Sequence, residues 1–285
     1  MNVHPQIVEL IHDFMLNRPQ RVKVGHIVSD DRVVSTGAPH QGCVLSPVLF
    51  SLYTSDCVST DADCTIIKYA DDTVITGYLS GDANCYFAVL DSFVKWCDSH
   101  FLQLNESKTK EMIVDFRKNV PDEHVPLTIH DDVIEQAKEY KYLGTTITNR
   151  LDWSSNVHAT QKKANQRLFF LRQLKKMHLD NTLLVLFYKS IIQSILLFNL
   201  ICFHGNLTCN SKKALDRPRK IAQRIIGIAL PNMEKLYGEG SLAKIMRIMK
   251  DPTHPLFSYF SFNRSGVRLC VPRTKRARFR NSFVP

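Results

Sequence analysis

Ile7, Leu10, Ile11 and Phe14 recur at helical spacing before Arg18-Pro19, which predicts a short surface helix over 5–17. RVKVGHIV and RVVSTG then alternate apolar and polar positions around Ser29-Asp30-Asp31, the pattern of a β-hairpin turning at those three residues. Gly37-Ala38-Pro39 breaks the alternation. SPVLFSLYTSDC starts like a helix, with Ser46 as N-cap and Pro47 in the first helical position. TIIKYADDTVITGYL carries β-branched residues on both sides of an acidic pair, so two strands are expected to turn at Ala70-Asp71-Asp72. Residues 83–102 read as a helix with Phe87, Leu90, Phe93, Val94 and Cys97 inward. EMIVDF reads as a strand, and EYKYLGTTIT as a strand pair over 139–148.

After Asp152-Trp153 the period changes to that of helices, over 154–178, 181–203 and 211–229. The expected class is therefore α+β: a short antiparallel sheet with helices over 1–150, a mainly helical region over 151–230 and a basic extension over 231–285. The apolar run Leu183 to Phe203 contains Lys189, Ser190, Gln193, Ser194 and Asn199. A lysine near a bilayer centre costs roughly 2.5–3.5 kcal/mol, so the run is expected to be a buried core helix and no membrane partner is predicted. Arg273, Lys275, Arg276, Arg278 and Arg280, with Phe279 and Phe283, are expected to form a poorly ordered basic tail.

Charge sharpens this division. The net charge is +10, but residues 1–150 hold 13 Lys and Arg against 21 Asp and Glu, and residues 151–285 hold 24 against 6. The halves thus sit at −8 and +18. An acidic module followed by one that meets a polyanion fits this split, as does a merely solvated basic helix surface. The eight cysteines, at 43, 57, 64, 85, 97, 202, 209 and 270, contain no CxxC pair. They are read as reduced thiols of an intracellular protein with no disulfide-linked partner. The first sixteen residues lack the marks of a signal peptide.

The chemistry centres on Tyr69-Ala70-Asp71-Asp72. Adjacent carboxylates on a strand point to opposite faces unless a tight turn redirects them. Redirected, they make an oxygen-rich site of the kind Mg²⁺ accepts, and paired ions about 3.5–4 Å apart can activate a hydroxyl and stabilise a leaving pyrophosphate. An Asp-Asp pair in a turn is also common without function. Here it lies between TGAPHQGCVLSPVLFSLY and LQLNESKTKEMIVDF. In order and spacing these segments resemble the palm motifs of reverse transcriptases from non-LTR (LINE-type) retrotransposons.

That resemblance implies RNA-directed DNA polymerase ancestry with an RNA template and a DNA primer, Mg²⁺ (or Mn²⁺) as cofactor, and a nuclear location. It implies that Asp71 and Asp72 are metal ligands and that Tyr69 lies next to the primer strand. Gln41 and Gly42 would lie by the templating pair and the nucleotide sugar, and Lys108 near the nucleotide phosphates. An ammonium there suits neutralising phosphate charge or protonating pyrophosphate, and on the residues alone Lys108 also reads as a solvated lysine in a turn before a strand. Tyr142, Leu143 and Gly144 resemble the hairpin that grips the primer end, although alone they pass as a strand with a glycine bend. A helical thumb follows the palm in this family, and 154–229 fits that place. QKKANQRLFFLRQLKKMH turns Leu168, Leu171 and Leu174 inward and gathers Lys162, Lys163, Arg167, Arg172, Lys175 and Lys176 elsewhere, a surface for nucleic-acid backbone.

Two departures bear on activity. The family places a further Asp on a strand before the Gly-Ala-Pro segment. Asp13, Asp30 and Asp31, the acids available there, do not resemble that motif. His40 also stands inserted between Pro39 and Gln41. The expectation is an N-terminally truncated, inactive palm-plus-thumb portion, or a non-catalytic RNA- or DNA-binding protein. A remote alternative comes from 158–198, which resembles the N-terminal region of an AlkB-type tRNA-modifying protein. An iron and 2-oxoglutarate dioxygenase needs two His and one carboxylate in a β-barrel. His130 and Asp132 have the local spacing, but a helical 150–285 offers no barrel.

Overall fold

The computed structural model describes residues 4–34, 43–78, 84–117, 126–266 and 268–284. The chain divides into two compact units, Met1–Asn105 and Glu106–Pro285. The change of sequence texture at Asp152 falls inside the second.

In the first unit α1 (Pro5–Met15) opens on a proline whose missing N–H is not needed in a first turn. β1 (Arg18–Gln20) pairs antiparallel with β4 (Arg32–Val34), and between them β2 (Lys23–Val24) pairs with β3 (Ile27–Val28). The hairpin therefore turns at Gly25-His26, not at Ser29-Asp30-Asp31. Gly25 has φ +62, the conformation that a two-residue loop needs at its first position. α2 (Leu45–Tyr53) begins after Val44, which makes no side-chain cap, so Ser46 is not the N-cap and Pro47 sits within the first turn.

β5 (Cys64–Tyr69) and β6 (Asp72–Gly77) form the expected hairpin, with Tyr69 opposite Asp72. α3 (Asn84–Ser99) packs on it. Gly77 is required at that contact, since a Cβ there would lie 2.8 Å from Cys64 Sγ and 2.9 Å from Tyr86 Cδ2. The buried apolar side chains described in this unit are Cys57, Cys64, Val89, Leu90 and Cys97, a small core built partly on thiols. Burial pushes the Cys97 thiol up to about 11, the behaviour of an inert core cysteine. None of the eight cysteines is paired in a disulfide.

The second unit starts with short strands. Of EMIVDF only Glu111 is strand: β7 (Lys110–Glu111) pairs parallel with β10 (Glu135–Gln136). β8 (Thr128–Ile129) and β9 (Asp132–Val133) make a hairpin, and β11 (Glu139–Tyr142) pairs with β12 (Thr145–Thr148). The helices follow: α4 (Ser154–Lys176), α5 (Asn181–Phe187), α6 (Ser194–Leu197), α7 (Leu200–Phe203), α8 (Cys209–Ile226) and α9 (Met233–Lys250). Side-chain oxygens of Asp180, Thr208 and Asn232 accept from the first turns of α5, α8 and α9.

The apolar run is broken, unlike the single core helix expected. A π-helical turn, Tyr188–Gln193, links α5 to α6, and Asn199 in the left-handed region (φ +53) separates α6 from α7. Its buried residues Leu184, Tyr188, Ile192, Leu196 and Leu200 recur every four positions, and buried Phe203 follows three further on. On an α-helix each such step drifts about 40° around the axis, and the looser π turn undoes part of that drift. Leu183, Leu186, Ile191 and Phe198 remain exposed, so only one face is core. The segment Asn181–Asn206 is long and apolar enough to cross a membrane by length and composition.

The C-terminal residues also differ from a disordered tail. α10 (Ala277–Arg280) places Arg278 over the Phe116 ring at 4.0 Å, and Phe283 meets Phe260 edge-on at 6.1 Å. Gly205 leaves room for the Asn281 carbonyl, which a Cβ would meet at 2.1 Å. Cation–π contact and close backbone packing thus hold residues whose composition alone reads as loose.

Candidate nucleic-acid interface and acidic hairpin

The turn between β5 and β6 consists of Ala70 and Asp71 alone, with Ala70 at φ +52. A positive φ at the first position of a two-residue loop suits the right-handed twist of the strands and normally selects glycine. Along β5, Cys64, Ile66 and Lys68 face inward, and Lys68 Nζ donates to the carbonyls of Thr54 and Cys57, the second at 2.7 Å. This half-buried anchor fixes the inner face of the hairpin. Tyr69, 64% exposed, and Asp72 therefore stand together on the outer face, and Asp71 lies exposed in the loop. β5 and β6 pair only with each other, which leaves both outer edges without a ladder among the described residues.

Magnesium takes a near-octahedral set of oxygens. Asp71 and Asp72 supply two exposed carboxylates, and among the described residues no group of three His, Cys, Asp or Glu is gathered. This donor set does not make a resident two-metal site. Gln41 and Gly42 lie outside the described residues.

Lys108 and the Tyr142-Leu143-Gly144 segment belong to the second unit. Lys108 is exposed in the turn before β7, while Lys110 ties β7 to Glu135 at 2.6 Å. Leu143 (φ +43) and Gly144 (φ +82) are the two central residues of the β11–β12 turn, and positive φ at both is the type I′ hairpin. A leucine in the left-handed region costs roughly 1–2 kcal/mol. The tip is held from beneath: Asn199 Nδ2 donates to Thr145 Oγ1 at 2.7 Å, and Phe198 lies under Gly144.

α4 carries the basic surface. Val157, Ala164, Leu168 and Leu171 are buried and Leu174 packs against the same core, while Lys162, Lys163, Arg167, Arg172, Lys175 and Lys176 lie on the other faces. All six of these cations are exposed, as their spacing predicts. Lys175 donates to Asn181 at 3.1 Å. The other five have no carboxylate partner among the described residues. The 23-residue helix contains no Asp or Glu. Asp152 just precedes it, accepting from the Ser154 N–H at 3.1 Å and from its hydroxyl; the Ser154 contacts hold the carboxyl below its usual range. Solvated basic helices usually interleave acids at i,i+4, whereas like charges such as Lys163 and Arg167, or Arg172 and Lys176, repel. Such a surface lowers its free energy by meeting a polyanion.

α8 packs along α4 and holds a charged group that sequence reasoning missed. Buried Arg219 donates to Asp216 Oδ2 at 2.9 Å, to Gln223 Oε1 at 3.1 Å and to the Leu230 carbonyl at 3.0 Å. The only sequence signal for it is an Asp and an Arg three apart on a helix. His130 sits at the β8–β9 turn, 3.1 Å from Glu106 Oε1.

A family model described as reverse transcriptase (RNA-dependent DNA polymerase) matches residues 1–147. Another, described as alkylated DNA repair protein alkB homolog 8, N-terminal, matches 153–194. That segment is α4, α5 and the π turn, and its His158, His178 and Asp180 form no metal cluster. Among curated relatives, the probable RNA-directed DNA polymerase from transposon BS of Drosophila melanogaster is 28% identical over 176 residues, 58% of this chain and 19% of the relative. The RNA-directed DNA polymerase from mobile element jockey of Drosophila funebris is 27% identical over 203 residues, 66% of this chain and 21% of its own. The probable RNA-directed DNA polymerase from transposon X-element of Drosophila melanogaster is 25% identical over 231 residues, 76% and 25%. The chain thus spans about a fifth to a quarter of the relatives' length. No solved structure matches.

Proposed function

Since the chain belongs to the reverse transcriptase (RNA-dependent DNA polymerase) family, we propose that it is the nucleic-acid-holding portion of a retrotransposon polymerase, binding template and primer without extending them by itself. Residues 1–150 are the partial palm, 151–230 the thumb and 231–285 the basic extension. The observation that carries this reading is α4: five surface cations without carboxylate partners among the described residues, on a helix that has no acid of its own. Lys162, Lys163, Arg167, Arg172 and Lys176 contact phosphates, which positions a strand without reading its sequence. Tyr142, Leu143 and Gly144 offer a rigid tip for the primer end.

The Asp71-Asp72 hairpin is the polymerase remnant. In an intact family member it holds catalytic metal, with Lys108 at the phosphates and Gln41 and Gly42 at the nucleotide. Here two exposed carboxylates lack a third, and the hairpin lacks a neighbouring strand among the described residues. The purified chain, incubated with poly(rA)/oligo(dT), nucleotide and Mg²⁺ or Mn²⁺, is expected to bind the hybrid but give no primer extension. Incorporation that Asp71→Ala abolishes would overturn this assignment.

A further inference from the structure

Positions 158, 162, 165, 169, 172 and 176 of α4 follow in alternating steps of four and three, which places them in one narrow stripe on a helix of 3.6 residues per turn. The stripe reads His158, Lys162, Asn165, Phe169, Arg172, Lys176. Its centre is apolar: Phe169 is 54% exposed, and its ring meets that of Phe170, 47% exposed, edge-on at 5.5 Å. Towards the N-terminus of the helix, the stripe borders a shallow depression lined by His158, Gln161, Lys162, Asn165 and Gln166. Two phenyl rings left in water forfeit the free energy of burial, and the core of this helix does not need them, because Ala164, Leu168 and Leu171 already fill it.

We propose that Phe169, backed by Phe170, is a stacking platform for an unpaired base of single-stranded nucleic acid, with the flanking phosphates on Lys162, Arg172 and Lys176. The proposal rests on the nucleic-acid-binding reading above and adds the form of the ligand. Charge complementarity selects a polyanion, and the rings select among polyanions. In a duplex the base faces are stacked on one another, so a phenyl on a helix surface meets only backbone. In a single strand a base face is available, and every base offers one, so the platform tolerates any sequence. Lys162 and Lys176 lie about 10 Å along the axis on either side of Phe169, within reach of phosphates flanking one stacked base.

The test is fluorescence anisotropy of the full chain with a labelled single-stranded RNA and a duplex of equal length, over a range of salt. The variants are Phe169→Ala/Phe170→Ala, Phe169→Trp and Lys162→Gln. All sit outside the core face of α4, and a circular dichroism melt checks that each folds. The alanine pair is expected to weaken single-strand binding about tenfold to hundredfold, leaving its salt slope and the duplex affinity unchanged. Phe169→Trp retains binding, and its indole emission changes on adding the single strand. Lys162→Gln instead reduces the salt slope by about 0.7. Unchanged single-strand affinity in the alanine pair, or equal loss on single strand and duplex, overturns the proposal. So does self-association that the alanine pair dissolves without a change in RNA binding, which would assign the rings to a protein contact. A wild-type chain that binds neither nucleic acid refutes the underlying reading as well, so the two failures are distinguishable.

Discussion

Arg219→Ala is expected to destabilise the second unit by about 3 kcal/mol, the lower end for breaking a buried ion pair. Asp216 would keep its charge with its side chain only 17% exposed, and the Leu230 carbonyl and Gln223 Oε1 would lose their guanidinium donor. The loss spreads because of position: the group clasps the end of α8 to the segment leading into α9, where Gly227 (φ +86) caps the helix and the Leu230 N–H donates to Gln223 at 3.2 Å. Chemical denaturation followed by far-ultraviolet circular dichroism measures the effect. An Arg219→Met/Asp216→Leu double variant should recover most of it, since two apolar groups leave no orphan charge. The acid limb gives a second reading. Burial alone would raise the Asp216 carboxyl, but Arg219 and Lys220 outweigh it and hold the group below its usual range. A carboxylate with a depressed folded value contributes stability that is fully present above its unfolded value, about 3.9. That contribution disappears as pH falls through the folded value, so the wild type should weaken below about pH 4 and the double variant less so.

Lys162→Glu/Arg172→Glu/Lys176→Glu is expected to lower affinity for an RNA–DNA hybrid by at least about a hundredfold at about 50 mM salt. Each neutralised phosphate contributes about 0.7–0.9 to the slope of log K against log salt, so losing three contacts removes about two to three units. The folded helix should persist. Positions 172 and 176 exchange one like-charge pair for another, and the new carboxylate at 172 gains an opposite-sign neighbour in Lys175, three residues on. A binding loss is therefore not confused with unfolding. Isotherms at several salt concentrations, beside a circular dichroism spectrum of the variant, check both statements.

How much of this was legible in the sequence depends on how local each cause is. The β5–β6 hairpin and α4 were readable because their determinants lie within the segment: β-branched residues around Ala70-Asp71 in one, leucines at helical spacing in the other. The turn at Gly25-His26 was missed because a charged Ser-Asp-Asp stretch is the louder turn signal, whereas the positive φ of Gly25 decides the loop. EMIVDF has strand composition, yet only Glu111 finds a ladder partner, Gln136 in β10. The ordering of the C-terminal residues is likewise non-local, resting on Phe116, Phe260 and the gap over Gly205. The same holds for the candidate site. Asp71 and Asp72 are singled out by the resemblance to the palm motifs and the α4 cations by helical spacing, whereas the Lys68 anchor and the Arg219 clasp appear only once main-chain carbonyls are in place.

One titration tests the nucleic-acid-holding role most directly: anisotropy of the wild-type chain with a labelled poly(rA)/oligo(dT) hybrid between about 50 and 200 mM salt. With about five phosphates held by α4, log K should fall with a slope near about −4, a loss of about two to three decades across that range. Absent binding, or an affinity indifferent to salt, would contradict it.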